Sequence, residues 1–266
     1  MTDTAATGNA GAKRKWVVLA ICLIPVALAA GCVQNSANVR RQAEASRGLA
    51  EAYMNEGNYA AALRELLKAE EAYPDDPYLQ SDLGLAYHAR GKHGLASRHF
   101  RRALELDPEY GPAMNNLGLV YADMGKLDEA IPYFERASEN LMYTTPHYPL
   151  TNLGNAYSRK KQYDRALGHY NRALELAPDY PMALAGMGRT YLAMGRYADA
   201  INALERAVGV APAMAGIHFD LATVYNRGGN RAKARESYEN VMGLAPPQSP
   251  LHRDAAKELE RLQAWE

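Results

Sequence analysis

The sequence predicts an all-α protein, a solenoid of six stacked helix pairs closed by a capping helix. Three observations predict it. Tyrosine recurs at Tyr53, Tyr87, Tyr121, Tyr157, Tyr191 and Tyr225, at spacings of 34, 34, 36, 34 and 34 residues. Alanine stands nine residues after each, at Ala62, Ala96, Ala130, Ala166, Ala200 and Ala234. Five of the six units end in proline, at Pro74, Pro108, Pro178, Pro212 and Pro246. A fixed period of this length marks a stack of units, none of which can bury its apolar face alone.

Each unit reads as two amphipathic helices around a turn. The units run 43–76, 77–110, 111–144, 147–180, 181–214 and 215–248, with residues 145–146 as an insertion after the third. Four residues before each tyrosine stands Leu49, Leu83, Leu117, Leu153, Met187 or Leu221, followed by small Ala50, Gly84, Gly118, Gly154, Gly188 or Ala222. These small residues, with the recurrent alanines, let the two helices approach closely. Leu66, Phe100, Phe134, Tyr170, Leu204 and Tyr238 fill the gaps. The turns carry Gly57, Gly91, Gly125, Gly195 and Gly229, where a left-handed cap is cheapest without a Cβ. Lys161 takes that place in the fourth unit and is expected to be strained. Proline stops the second helix. Residues 249–266 supply a lid, with Leu251, Ala255, Leu259 and Leu262 at helical spacing and Trp265 packed at its end.

Composition narrows the function. Thirty basic and thirty acidic side chains give zero net charge, against nucleic-acid binding, which draws affinity from excess Lys and Arg. Two cysteines, Cys22 and Cys32, exclude a disulfide framework and a Cys-rich zinc site. None of the seven histidines has a recognisable ligand spacing, and no nucleophile or phosphate-loop motif occurs. No catalytic residue, metal, cofactor or small-molecule substrate is expected. His93, Arg98, His99, Arg101 and Arg102 read as a solvated basic face.

The repeat resembles the tetratricopeptide (TPR) family over residues 43–248. That resemblance implies a right-handed superhelix with a concave groove lined by the second, fifth, ninth and twelfth residues of each unit. On this chain the groove residues include Tyr78, Leu85, His88, Asn115, Leu119, Tyr148, Asn155, Met182, Arg189 and Phe219, with Asn116 and Asn152 added from the sixth position. Amides bond both peptide N–H and C=O, and apolar side chains between them take alternate side chains or one helix face, so a peptide-binding groove is expected. The alternative for Asn116 and Asn152 is satisfying backbone groups between repeats. Arg47 and Arg189 stand apart, so the basic clamp of chaperone-binding TPR domains is missing.

The N-terminus reads as a targeting segment. Lys13-Arg14-Lys15 precede an apolar run from Trp16 to Ala30, shorter than the ~20 residues of a membrane-spanning helix. Leu28-Ala29-Ala30-Gly31-Cys32 resembles a bacterial lipobox. Residues 1–31 would then be a signal peptide, and residues 32–42 the acylated Cys32 with a short tether, Val33 to Gln42, of about 33 Å at most. Val33 after the cysteine implies the outer membrane by the same resemblance. The alternatives are an uncleaved anchor and an ordinary cleaved signal.

A lipobox, a short tether and six such units resemble the PilF/PilW/Tgl family of type IV pilus lipoproteins, the pilotins. So does the run Tyr143-Thr144-Thr145-Pro146-His147-Tyr148 leading into Thr151-Asn152-Leu153-Gly154. The resemblance implies a non-enzymatic protein, lipid-anchored at the periplasmic face of the outer membrane, that assists localisation and assembly of the pilus secretin. The other reading is an envelope adaptor that scaffolds peptidoglycan enzymes or proteases.

Overall fold

In the computed structural model, residues 38–263 are described, and all their regular structure is helical. The proposed signal peptide, Cys32 and Trp265 lie outside these residues. Helix α1 covers 38–55. It is followed by α2 (Tyr59–Ala72), α3 (Pro77–Ala89), α4 (His93–Leu106), α5 (Gly111–Asp123), α6 (Leu127–Glu139) and α7 (His147–Arg159). Then come α8 (Tyr163–Leu176), α9 (Pro181–Ala193), α10 (Tyr197–Val210), α11 (Ala215–Arg227), α12 (Arg231–Leu244) and the cap α13 (Pro250–Gln263). Because α1 already runs at residue 38, residues 38–42 of the expected tether are helical.

Odd-numbered helices open the units and even-numbered helices close them. From α3 onward each helix packs on its neighbours in sequence, and each opening helix also touches the next opening helix. The closing helices do not touch one another. The row of opening helices is therefore the tighter, inner side of the stack.

Packing follows the sequence pattern closely. All six recurrent alanines, Ala62 to Ala234, are buried completely. A Cβ on Gly84 would lie 2.7 Å from the Phe100 ring, one on Gly118 2.6 Å from Phe134, and one on Gly188 2.5 Å from Leu204. Tyr170 fits between two such glycines: a Cβ on Gly154 or Gly186 would come within 2.5 Å of its ring. The core is a chain of clusters joined by shared residues such as Leu174, Tyr87 and Tyr121. Ala255 and Leu262 of α13 are buried against the last unit, with Leu251 and Leu259 beside them.

The turns behave as expected. Gly57, Gly91, Gly125, Gly195 and Gly229 have φ between 69° and 86°. Lys161, at φ 59°, is the one non-glycine residue with positive φ among the described residues. Four of the six recurrent tyrosines sit at the edge of the core under cations: Lys126 over Tyr121, Arg165 over Tyr157, Arg196 over Tyr191 and Lys233 over Tyr225. A ring that is half core and half wet suits tyrosine better than phenylalanine.

One connector differs. Four residues separate α4 from α5, α8 from α9 and α10 from α11, but seven, 140–146, separate α6 from α7. This loop is stitched to the preceding connector, Arg136 donating to the Pro108 carbonyl and Asn140 to that of Glu109. It lays Tyr143 against Gly111, where a Cβ would meet the side chain at 2.8 Å.

Candidate functional site

The opening helices present their second residues to solvent. Tyr78 is 49% exposed, Tyr148 40% and Met182 37%, high values for large apolar side chains. Tyr78 and Tyr148 each have a partner at the last position of their own unit. Tyr78 meets Tyr110 edge to face at 5.1 Å, and Tyr148 meets Tyr180 the same way at 5.4 Å. His147 joins the second pair, 4.9 Å from Tyr180. In unit five Met182 and, at the unit's end, Met214 are both exposed. The inner side thus carries an apolar row along one edge. The groove positions of the repeat do not include Tyr110, Tyr180 or His147, yet a signal for the two tyrosines exists: a second tyrosine stands 32 residues after the first within one unit. Burial pushes the Tyr110 and Tyr180 hydroxyls up to about 12, so both stay neutral donors.

The fifth position does not line the groove in units two to five. Ser81, Asn115, Thr151 and Ala185 are buried. Adjacent opening helices are in contact, and these side chains are covered rather than presented to the groove. Asn115 accepts a hydrogen bond from Asn152 Nδ2 at 2.8 Å, joining α5 to α7. Asn155 accepts one from the Tyr170 hydroxyl at 2.8 Å. Leu85, His88, Leu119 and Phe219 remain half-buried on the inner side, and Arg189 is exposed.

The sixth position faces the preceding unit. Asp82 approaches Arg47 to 3.5 Å, Asn152 meets Asn115, and Asp220 meets Arg189 at 2.7 Å. The side chain of Asn116, at the junction of units two and three, makes no hydrogen bond among the described residues. Burial raises the Asp82 carboxyl to about 7 despite Arg47, and Glu51 and Asp76 push it further. Asp220 is raised by the same burial, opposed by Arg189. Asp82, Glu51, Leu85 and His88 help line an inner cavity of about 460 Å³.

The basic cluster of α4 is not all solvated. His99 is buried, its Nδ1 2.8 Å from Gln80 Oε1 and its ring stacked on Tyr87. Burial lowers its pKa, so it serves as a neutral core group. Helix packing also gathers what sequence spacing did not: His88, His93 and Asp123 place ligand atoms within 4.8 Å of one another. Among the described residues no helix is long and apolar enough to cross a membrane.

No curated protein sequence matches the chain. The fold is shared with PilW, described as a widely conserved type IV pilus biogenesis factor, at TM-score 0.71 and 21% identity over 80% of this chain and 98% of that one. It is shared with PilF of Pseudomonas aeruginosa at TM-score 0.67 and 20% identity, over 83% and 99%. An IFIT1 monomeric mutant solved with Gppp-AAAA reaches TM-score 0.69 at 20% identity, over 97% and 66%. At these identities the likeness is one of fold. One tetratricopeptide-repeat profile matches residues 79–142, 109–179 and 148–213, and a second matches 27–77 and 185–249. With the helix pairs, the glycine turns and the buried alanines in register across the same span, the chain belongs to the tetratricopeptide-repeat family.

Proposed function

We propose that this chain is a lipid-anchored outer-membrane protein that binds a protein partner on its inner face and assists assembly of the type IV pilus secretin. The observation that carries the binding role is the exposed row Tyr78, Tyr148 and Met182 with its unit-end partners. Large apolar side chains held rigidly at a concave surface, beside a polar group such as Asn116 with no bond of its own, suit an extended or helical peptide. The fold shared with PilW and PilF over nearly their whole length supports the pilus reading. Acylation at Cys32 would hold the stack at the membrane, and two or more acyl chains suffice for stable anchoring.

Deleting the gene in its own bacterium and blotting the envelope for heat-resistant secretin multimers tests the reading. Loss of multimers, restored by the wild-type gene and not by a Tyr78→Ser, Tyr148→Ser double variant, is expected. Normal multimers in the deletion strain would end the pilus reading and leave the adaptor for peptidoglycan enzymes or proteases.

A further inference from the structure

We propose that His88, His93 and Asp123 form a site for a divalent transition-metal cation, Zn²⁺ by default, that ties the second unit to the third. His88 lies in the last turn of α3, His93 opens α4 across the turn, and Asp123 closes α5. His88 Nε2 is 2.7 Å from Asp123 Oδ2, and the two imidazole rings are 5.5 Å apart, tilted by 59°.

An ordinary hydrogen bond accounts for His88 and Asp123. It leaves His93 unexplained: its Nδ1 is buried with no hydrogen-bond partner. A cation gives all three groups one role. Two imidazoles and a carboxylate are borderline-to-hard ligands that suit Zn²⁺, Ni²⁺ or Co²⁺ rather than the all-oxygen shells of Ca²⁺ and Mg²⁺. Bonds of about 2.0–2.1 Å set tetrahedral donors roughly 3.3 Å apart, between the 2.7 Å pair and the 4.8 Å limit seen here. Asp123 is half-exposed and His93 is the first residue of its helix, so rotamer changes can close the shell without moving the backbone. Glu51 in the adjoining cavity adds negative potential, while Arg90 and Lys92 in the turn are exposed to solvent.

The location gives the site a purpose. At this junction the sixth-position residue, Asn116, makes no bond to the unit before it, whereas Asp82, Asn152 and Asp220 do so at theirs. The cation would turn the existing His88–Asp123 contact into a three-point tie and fix the angle between units two and three. Three protein ligands leave a fourth position for water or a donor from a partner.

Isothermal titration of the tag-free full chain with ZnCl₂ and NiCl₂, after removal of bound metal by chelator, tests this. The quantity read is the equivalent lost on substitution, because Cys22 and Cys32 can bind zinc on their own. His88→Ala, His93→Ala and Asp123→Ala should each weaken one equivalent by at least about tenfold, and His252→Ala should not. Zinc should raise the melting temperature of the wild type and not of the three variants. His93→Phe keeps the ring volume without a donor and should lose the same equivalent, which guards against a folding defect in the alanine variant. Equal isotherms for wild type and His93→Phe, or no response of the wild type to either metal, would overturn the proposal.

Discussion

Asn152 donates its side-chain amide to Asn115 Oδ1 at 2.8 Å, and the acceptor residue is buried between α5 and α7. The bond spans the junction that carries the irregular connector. By sequence position both residues are groove-lining amides; in the fold they face each other instead. Asn152→Ala should therefore destabilise the stack by about 1–3 kcal/mol, because it leaves the Asn115 carbonyl buried and unpaired. Asn116→Ala, which breaks no bond, should stay within about 0.5 kcal/mol and weaken partner binding several-fold instead. Thermal melts and pull-downs of the two single variants separate the roles; an early melt for Asn116→Ala would place it with Asn152.

Ala130→Leu should cost about 1–3 kcal/mol by overpacking a site with no exposed surface. Gly154→Ala should do similar damage, since its Cβ would sit 2.5 Å from Tyr170 and the far side of that ring is closed by Gly186. Calorimetry showing unchanged midpoints would mean the helices are farther apart than described.

Lys161→Gly should stabilise the fourth unit. A side chain at positive φ costs roughly 1–2 kcal/mol, partly offset by the extra freedom glycine has in the unfolded chain. A net gain of about 0.5–1 kcal/mol is expected, read as a rise in the denaturant midpoint at constant slope. Gly195→Lys, the reverse change at φ 74°, should lower it.

Asp82 makes stability depend on pH. Its folded pKa, about 7, lies above the ordinary 3.8, so the folded state holds the proton more tightly. The stabilisation is complete below pH 4 and is lost as pH rises from there through about 7. Between pH 5 and 8 the unfolding free energy should fall by an amount on the order of 1–3 kcal/mol, and Asp82→Asn should flatten that slope. A variant with the wild-type slope would assign the effect to another group.

Cys32→Ser should leave the melting curve unchanged, because the residue precedes the repeats, and should release the protein from membranes. Flotation of the variant with the membrane fraction would refute acylation at that position.

What the sequence made legible depends on distance along the chain. Gly118 and Phe134, or Ala130 and its helix partner, meet within one hairpin, so their spacing repeats in every unit and reads directly. The glycine turns are legible for the same reason, and Lys161 stood out by breaking the pattern. Burial of Asn115 and Thr151 was hidden because it depends on the angle between neighbouring units, which no single unit encodes. The Tyr78–Tyr110 and Tyr148–Tyr180 pairs close across a whole unit. His88 and Asp123 are 35 residues apart on different units, beyond the reach of any linear ligand motif.

From α3 onward every helix touches only its neighbours in sequence and, for the opening helices, the adjacent opening helices along the row. Such a stack is a set of springs in series. A pull between its two ends loads each junction equally, and the whole can resist no more force than its weakest joint. Extension should then come in steps, one unit at a time, with the remaining units still folded and still able to hold what they bind.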